Sequence, residues 1–286
     1  MKKLLVAVVS IALVSSVSAQ EAADKKFQAG LVFGTGINFQ KMGTKLMDKD
    51  GAGSDLLIGG NMNIMFNETI GLTTGIEFDF NTSKYKPGTS NAYYLYNDNT
   101  IEEIPDAALN AFGNVNYTDK QLFQLENRKQ KATYLTVPTM LIFRTNFIGY
   151  FRYFGKFGLR SSFLLSQKNN DSGINLDESA VNPYTSSSVI TDNKNMKSKN
   201  EMFFFKSSVG IAGGAEWNFT GTTCLVAEIG FYYGFTPLYY DRNSPYLFTN
   251  GLSNGSASVT DPTGTDVPYS NKATQSQLQL KISILF

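Results

Sequence analysis

The sequence has 286 residues and a net charge of +1, and only 17% of its residues are charged, whereas soluble domains carry roughly 25%. A net charge this close to zero argues against nucleic acid as a partner. The sequence has no histidine and one cysteine, Cys224. It therefore excludes an internal disulfide, histidine-ligated metal sites and catalytic systems that use a histidine base.

The N-terminus has the pattern of a secretory signal peptide. Two lysines precede an apolar run over residues 4–14, and small residues follow as far as Ala19. The apolar run is shorter than the about 20 residues that a membrane-spanning helix needs. We therefore predict a signal peptide over residues 1–19, cleaved before Gln20, with an uncleaved N-terminal anchor as the alternative.

Eight later segments alternate apolar and polar residues. In chain order they are residues 27–40, 56–66, 71–80, 134–144, 150–165, 202–219, 225–235 and 277–286. A period of two predicts strands with one apolar face. Each segment has about ten residues or slightly more, which is enough to cross a bilayer at a tilt. Pro138 interrupts the fourth segment and predicts a bulge or locally broken pairing there.

The connections between these segments alternate in length. Short ones lie near residues 67–70, 146–149 and 219–222, and long ones at about 43–54, 85–131, 168–200 and 241–271. Short periplasmic turns, long external loops and an even strand count are typical of outer-membrane barrels. Within 85–131, additional strands above the membrane and a short helix over 106–112 are both open interpretations.

These patterns predict an all-β fold for residues 20–286. The predicted architecture is an eight-stranded antiparallel up-and-down transmembrane β-barrel with short periplasmic turns and long extracellular loops. The alternative is a soluble β-sandwich or lipocalin-like barrel, which would turn its apolar face inward. Aromatic residues near the strand ends favour the membrane barrel, because such belts suit membrane interfaces.

The inward face of the predicted barrel carries charged residues. They are Glu77, Asp79, Arg144, Arg152, Lys156, Arg160, Lys206, Glu216, Glu228 and Lys281. Side chains fill the interior of an eight-stranded barrel, and isolated charges there would be costly. We expect a structural network of ion pairs, with Glu77 and Asp79 near Arg144, and Glu228 near Lys281. An ion or proton path is the alternative, and a catalytic carboxylate pair is not expected.

The chain resembles the small outer-membrane β-barrel proteins of Bacteroidota-type bacteria, the PorT-like or OmpA-like barrel family. The features that carry the resemblance are SVSAQ at 16–20, YLTVPTMLIFR at 134–144, GLRSSFLLS at 158–166 and LKISILF at 280–286. The resemblance implies no catalytic residues, because the family has no common enzymatic activity. It also implies that Phe286 is the terminal signal read by the barrel-assembly machinery. The sequence departs from the family in one respect, because we expect no peptidoglycan-binding domain after the barrel.

The sequence therefore predicts a non-enzymatic protein of the bacterial outer membrane with a structural or interaction role. An accessory subunit of a secretion or envelope-assembly complex is one form of that role, since some members of the similar family have it. The alternative is a narrow channel for ions or small solutes. Expected partners are outer-membrane lipid, the barrel-assembly machinery and a protein in a membrane complex. No cofactor, metal or nucleic acid is expected.

Overall fold

The computed structural model describes residues 26–43, 47–88, 91–102, 120–177, 185–199, 201–220, 223–239, 247–249, 267–268 and 273–286. The predicted signal peptide and the predicted helix over 106–112 lie outside these residues. None of the described residues forms a helix with the length and apolarity that crossing a membrane requires.

The described residues form fourteen strands rather than the eight predicted. They are β1 (Phe27–Met42), β2 (Met47–Lys49), β3 (Gly53–Met65), β4 (Ile70–Pro87), β5 (Ala92–Asn97), β6 (Thr100–Ile101), β7 (Gln121–Arg144), β8 (Phe151–Asp177), β9 (Thr185–Ser198), β10 (Phe205–Thr220), β11 (Thr223–Gly234), β12 (Phe248–Thr249), β13 (Val267–Pro268) and β14 (Ala273–Leu285). The eight predicted segments lie in β1, β3, β4, β7, β8, β10, β11 and β14. The six others lie in or beside the segments predicted as long loops.

The eight predicted strands pair in a closed circuit. Antiparallel pairing runs from β1 through β3, β4, β7, β8, β10 and β11 to β14. The C-terminal β14 then pairs with β1, where Thr35 lies opposite Leu280. We call these eight strands the strand circuit. Its short connections, after β3, β7 and β10, lie at one end, together with the start of β1 and the end of β14.

The strand circuit turns its apolar residues outward and its polar residues inward. Exposed large apolar side chains occur on each of its strands: Leu31, Phe33, Ile58, Ile76, Phe78, Leu141, Phe157, Leu159, Ile211, Ile229, Phe231, Leu280 and Ile282. On β4, the outward positions within residues 70–80 are almost all apolar. At about 3.4 Å per residue and a tilt of about 40°, they cover about 26 Å, close to the roughly 25 Å apolar band of membrane barrels. A soluble sandwich would have the opposite arrangement.

Pro138 interrupts pairing on one side of β7, as predicted. The register between β4 and β7 passes from Thr74 opposite Thr139 directly to Glu77 opposite Thr136. The intervening residues, Pro138 included, are unpaired on that side, because proline has no N–H to donate to the neighbouring strand.

β7 and β8 continue far beyond the rest of the strand circuit, with lengths of 24 and 27 residues. Their far ends pair with β5 and β9, and β2 pairs with the end of β4. We call these far ends, with β2, β5, β6 and β9, the extension. Large parts of the predicted loops 85–131 and 168–200 are therefore strands.

The extension has an apolar interior of its own. Its core and its junction with the strand circuit contain Met47, Tyr85, Ala92, Tyr94, Ile101, Phe123, Leu125, Ala132, Tyr134, Met196, Met202, Leu238, Tyr239, Leu247 and Ala273. Register shifts at Leu125/Asn127 and Thr133/Tyr134 accompany the change from the strand circuit to the extension. Such shifts add a residue to one strand and so change which residues face inward. The additional strands left open within 85–131 are therefore present as β5, β6 and the start of β7, whereas strands within 168–200 were not predicted.

Candidate functional site

The interior of the strand circuit contains all the charged residues predicted to face inward. None of them is more than 9% exposed: Glu77, Asp79, Arg144, Arg152, Lys156, Arg160, Lys206, Glu216, Glu228 and Lys281. Three of the cations, Arg152, Lys156 and Arg160, lie on β8 at intervals of four residues. Since side chains alternate along a strand, these three share one face of β8, and consecutive ones are about 13 Å apart along the strand.

The lowest layer lies near the end with the short connections. Arg152 on β8 forms a close ion pair with Glu216 on β10, and the two residues lie directly opposite each other. Arg144 Nη1 lies 3.8 Å from Glu216 Oε1. The Gln28 side-chain oxygen accepts hydrogen bonds of 2.7 Å from Arg144 and 3.3 Å from Arg152. One carboxylate and one amide therefore hold two guanidinium groups.

The middle layer is built around Glu77 on β4. Its Oε1 lies 2.8 Å from Lys281 Nζ, and its Oε2 lies 2.7 Å from Arg160 Nη2. Arg160 Nη2 is also 3.6 Å from Asp79 Oδ2. These bonds cross the interior and connect β4, β8 and β14. Charge-assisted bonds of this length are among the strongest polar contacts in proteins.

A second pair completes the middle layer. Lys156 Nζ lies 2.6 Å from Glu228 Oε2. The Tyr232 hydroxyl donates a 3.4 Å hydrogen bond to the other oxygen of Glu228. The guanidinium carbon of Arg160 lies 4.6 Å from the centroid of the Tyr232 ring, a distance at which the ring face attracts a cation. Tyr232 thus joins the two ion-pair groups of this layer.

The upper layer is rich in amides. Lys206 Nζ donates a 2.8 Å hydrogen bond to Gln275 Oε1. Asp55 accepts hydrogen bonds from Asn38 Nδ2 at 2.7 Å and from Gln277 Nε2 at 2.9 Å. Asp55 has no predicted role, because the predicted loop ends at residue 54 and the predicted strand begins at residue 56. If the alternation of the predicted strand is extended by one residue toward the N-terminus, Asp55 falls on its inward face.

The ion-pair partners differ from those predicted. Glu77 lies opposite Thr136 on β7, eight residues from Arg144, which corresponds to about 27 Å along the strand. Glu228 and Lys281 do lie opposite each other, but their closest salt bridges go to Lys156 and to Glu77. Long cationic side chains reach across a narrow interior, so adjacent positions on neighbouring strands need not be partners.

The interior is almost completely filled at the middle layer. A cavity of about 10 Å³ lies among Glu77, Pro138, Lys156, Glu228 and other residues. A single water molecule needs about this much space. Below it, apolar side chains close the interior: Met65, Ile142, Phe154, Cys224, Val226 and Leu285. Cys224 is thus part of an apolar cluster.

A further buried ion cluster lies in the extension, where the sequence analysis expected a loop. Arg128 donates two hydrogen bonds to the Asp171 carboxylate, at 2.8 and 2.7 Å, and its Nη1 lies 3.2 Å from Glu201 Oε1. Gln167 donates a 2.8 Å bond to the other Glu201 oxygen. Burial raises the pKa of the nearby Tyr94 phenol, which therefore stays neutral. Residues 127–131 are all polar, so no apolar alternation in the sequence indicated this cluster.

Phe286 lies at the end with the short connections. Its side chain is exposed on the outward face, and its backbone N–H donates a 2.8 Å hydrogen bond to the carbonyl of Ala29. The terminal residue therefore belongs to the junction between β14 and β1.

Comparison with known proteins gives one family match. A family model described as an outer membrane protein beta-barrel domain matches residues 18–240. No curated protein sequence matches the chain.

Solved structures with a similar arrangement come from bacterial outer membranes. Pseudomonas aeruginosa OprG is 12% identical, with 93% of this chain and 96% of that chain covered and a TM-score of 0.41. Ail of Yersinia pestis, solved with the heparin analogue sucrose octasulfate, is 10% identical, with 92% and 100% covered and a TM-score of 0.34. Neisserial surface protein A is 8% identical, with 92% and 99% covered and a TM-score of 0.32. Sequence identities and TM-scores this low carry no information about the function of this chain.

Proposed function

The chain belongs to the outer membrane protein beta-barrel domain family, and from this premise we propose a non-enzymatic barrel with a closed interior and a structural or interaction role. The strand circuit is its eight-stranded membrane barrel. Support comes from the apolar outward face, because apolar surfaces of this extent are rare on soluble monomers and mark contact with lipid or protein. The end with the short connections faces the periplasm, and the extension faces the outside.

The ion-pair network in the interior carries the proposal of a closed barrel. Lys156, Arg160 and Lys281 each contact a carboxylate within 3 Å, and the cavity between them has a volume of about 10 Å³. Removing a charge from water is costly, and only well-placed partners offset that cost. A conducting pore would need a continuous column of water along the same path.

The carboxylates of Glu77 and Asp79 have a structural rather than a catalytic role in this proposal. Both lie within 4 Å of Arg160 Nη2, and neither is more than 2% exposed. A general acid or base needs contact with a substrate. The described part of the chain contains no group of three or more histidine, cysteine, aspartate or glutamate side chains that could hold a metal ion.

Planar-bilayer recording of the refolded protein tests the closed interior. We expect no steady conductance above that of a protein-free bilayer, because the middle layer leaves space for about one water. Discrete, long-lived conductance steps from the purified protein would replace this proposal with the narrow channel for ions or small solutes. A variant with Lys156→Ala removes the cation that pairs with Glu228 beside the cavity of the middle layer and serves as a positive control for leak.

The interaction role extends the proposal to a partner. The similarity to PorT-like barrels of Bacteroidota supports an accessory subunit of a secretion or envelope-assembly complex, with Phe286 as the signal for the barrel-assembly machinery. Crosslinking of the native protein in mild detergent, followed by mass spectrometry, tests this. A stoichiometric partner crosslinked to the extension or to the outer wall supports the subunit role. A lone monomer would leave a stand-alone envelope barrel.

A further inference from the structure

Four lysines form a cluster on the outward face where the apolar band ends. They are exposed and lie on three neighbouring strands, β4, β7 and β8: Lys84, Lys129, Lys131 and Lys168. We call them the lysine patch. Lys84, Lys129 and Lys131 continue the outward positions of their strands, and Lys168 faces outward beyond the register shift in β8, so the side chains point away from the interior.

The register places these lysines in two facing pairs. Lys84 lies opposite Lys129, and Lys131 lies opposite Lys168. Directly opposite residues have Cβ atoms about 5 Å apart, and like charges at that distance destabilise a sheet. None of the four makes a salt bridge among the residues that the structure describes. The arrangement therefore favours an anion between the lysines.

The position of the lysine patch along the strands, just beyond the apolar band, corresponds to the membrane surface. On β4, the outward residue Phe80 is followed by Thr82 and then by Lys84. Thr82 lies opposite Lys131, so the lower lysine pair begins one step above the last aromatic residue of the apolar band. Phosphate groups of lipids lie at this height, just outside the hydrocarbon region.

A polar groove adjoins the upper lysine pair. It has a volume of about 270 Å³, and Lys84, Lys129, Asn127, Asn170, Ser172 and Lys194 contribute to its lining, as do Asp50 and Asp192. Lysines supply charge for a phosphate. The amides and the serine hydroxyl can donate hydrogen bonds to sugar hydroxyls or accept them, and the aspartate carboxylates can accept them. This combination matches a phosphorylated sugar better than an inorganic ion.

We propose that the lysine patch and the adjoining groove bind the phosphorylated disaccharide head group of a glycolipid in the outer leaflet. The acyl chains of that lipid lie along the outward apolar residues below the patch, such as Phe78 and Phe80. This inference rests on the proposed insertion of the strand circuit in the outer membrane. Free phosphate has the same charge, but it has no reason to select a site at the edge of an apolar band.

The test is lipid binding to the full-length mature protein in detergent, measured by native mass spectrometry with bis-phosphorylated lipid A as the probe. The variant K129Q/K131Q removes one lysine from each facing pair. We expect about tenfold weaker binding, because two charge-assisted contacts are lost. K84Q/K168Q removes the other two lysines and should weaken binding by a similar factor. Lipid A without its phosphates should bind the unmodified protein as weakly as the variants bind the intact lipid.

The matched control is K26Q/K120Q, which removes the same charge away from the patch, from the end with the short connections and from the far end of β7. It should bind lipid A like the unmodified protein. Equal binding by all variants, or equal binding of lipid A with and without phosphates, overturns the proposal. So does loss of lipid A binding in excess inorganic phosphate, which would identify a free-anion site. Flotation with phosphatidylcholine vesicles is measured in parallel, and failure of the unmodified protein to float would refute the membrane barrel itself.

Discussion

The interior of the strand circuit and the interior of the extension are built from opposite kinds of residues, although β7 and β8 run through both. In the strand circuit, β8 turns Arg152 and Arg160 inward and Phe157 outward. In the extension, β7 turns Phe123 inward and Lys129 outward. The inversion shows that the medium around each part decides which face is polar. Lipid surrounds the first and water the second in the proposed orientation.

The buried charged side chains are also arranged differently in the two interiors. The strand circuit distributes its ion pairs over the lowest and middle layers, whereas the extension concentrates them in the cluster of Arg128, Asp171 and Glu201. Aromatic rings surround that cluster, with Arg128 positioned 5.4 Å from the Tyr94 centroid. The extension thus folds like a small soluble sheet with one buried ionic cluster. The interior of the strand circuit combines two layers of ion pairs with an amide-rich layer and an apolar cluster.

The largest expected effect comes from Arg160→Met, which removes the cation shared by Glu77 and Asp79. We expect a loss of about 3–5 kcal/mol in the free energy of unfolding, because the two carboxylates would stay buried without that partner. Urea unfolding in lipid vesicles measures the loss. Arg160→Lys keeps the charge and is the control, and it should lose less. A loss below about 1 kcal/mol would show that the network does not support the strand circuit.

Phe123→Ala tests whether the extension is an independent unit. The ring is completely buried in the extension, and its removal should cost about 3–5 kcal/mol. The loss should appear as faster hydrogen exchange in β5 and in the far ends of β7 and β8, while the strand circuit keeps its protection. Phe78→Ala, on the lipid-facing wall, is the control. Simultaneous loss of protection in both regions would mean that they unfold together.

Ile76→Arg tests the difference in surroundings directly. Ile76 lies on the outward face near the middle of the apolar band, where an arginine costs about 2–4 kcal/mol in a membrane barrel. Asn127→Arg makes a similar change on the outward face of the extension and should alter stability by less than about 0.5 kcal/mol. The measurement is urea unfolding in vesicles. Equal effects of the two substitutions would contradict the proposal that lipid surrounds the strand circuit and water surrounds the extension.

Gln279→Met should have the smallest effect of the series. Gln279 is buried in the interior of the strand circuit, and neither polar atom of its side chain has a hydrogen-bond partner in the described part of the chain. Replacing an unsatisfied amide with an apolar group of similar size is neutral or stabilising, within about 1 kcal/mol. Gln277→Met removes four side-chain hydrogen bonds and provides the comparison. A loss for Gln279→Met as large as that for Gln277→Met would indicate a partner for Gln279.

The strand circuit could be predicted from the sequence because its alternation is uninterrupted. In β14, apolar residues occupy every second position from Leu278 onward, and all of these positions face outward in the structure. The same reasoning failed for β9, whose residues TSSSVITDNKNMKS have no apolar alternation. Its pairing with β8 includes register shifts at Asn169/Asp171 and Ile174/Leu176. A strand with such shifts has no single period for a sequence pattern to reveal.

The sequence by itself determined which residues face inward and outward in the strand circuit, because the pleat of a strand imposes a period of two. Only the tertiary structure decided which charges pair. Arg160 reaches Glu77 and Asp79 across the interior, and Lys84 faces Lys129 because of the register between β4 and β7. Register and the reach of long side chains depend on all the neighbouring strands together. No single segment of the sequence contains that information.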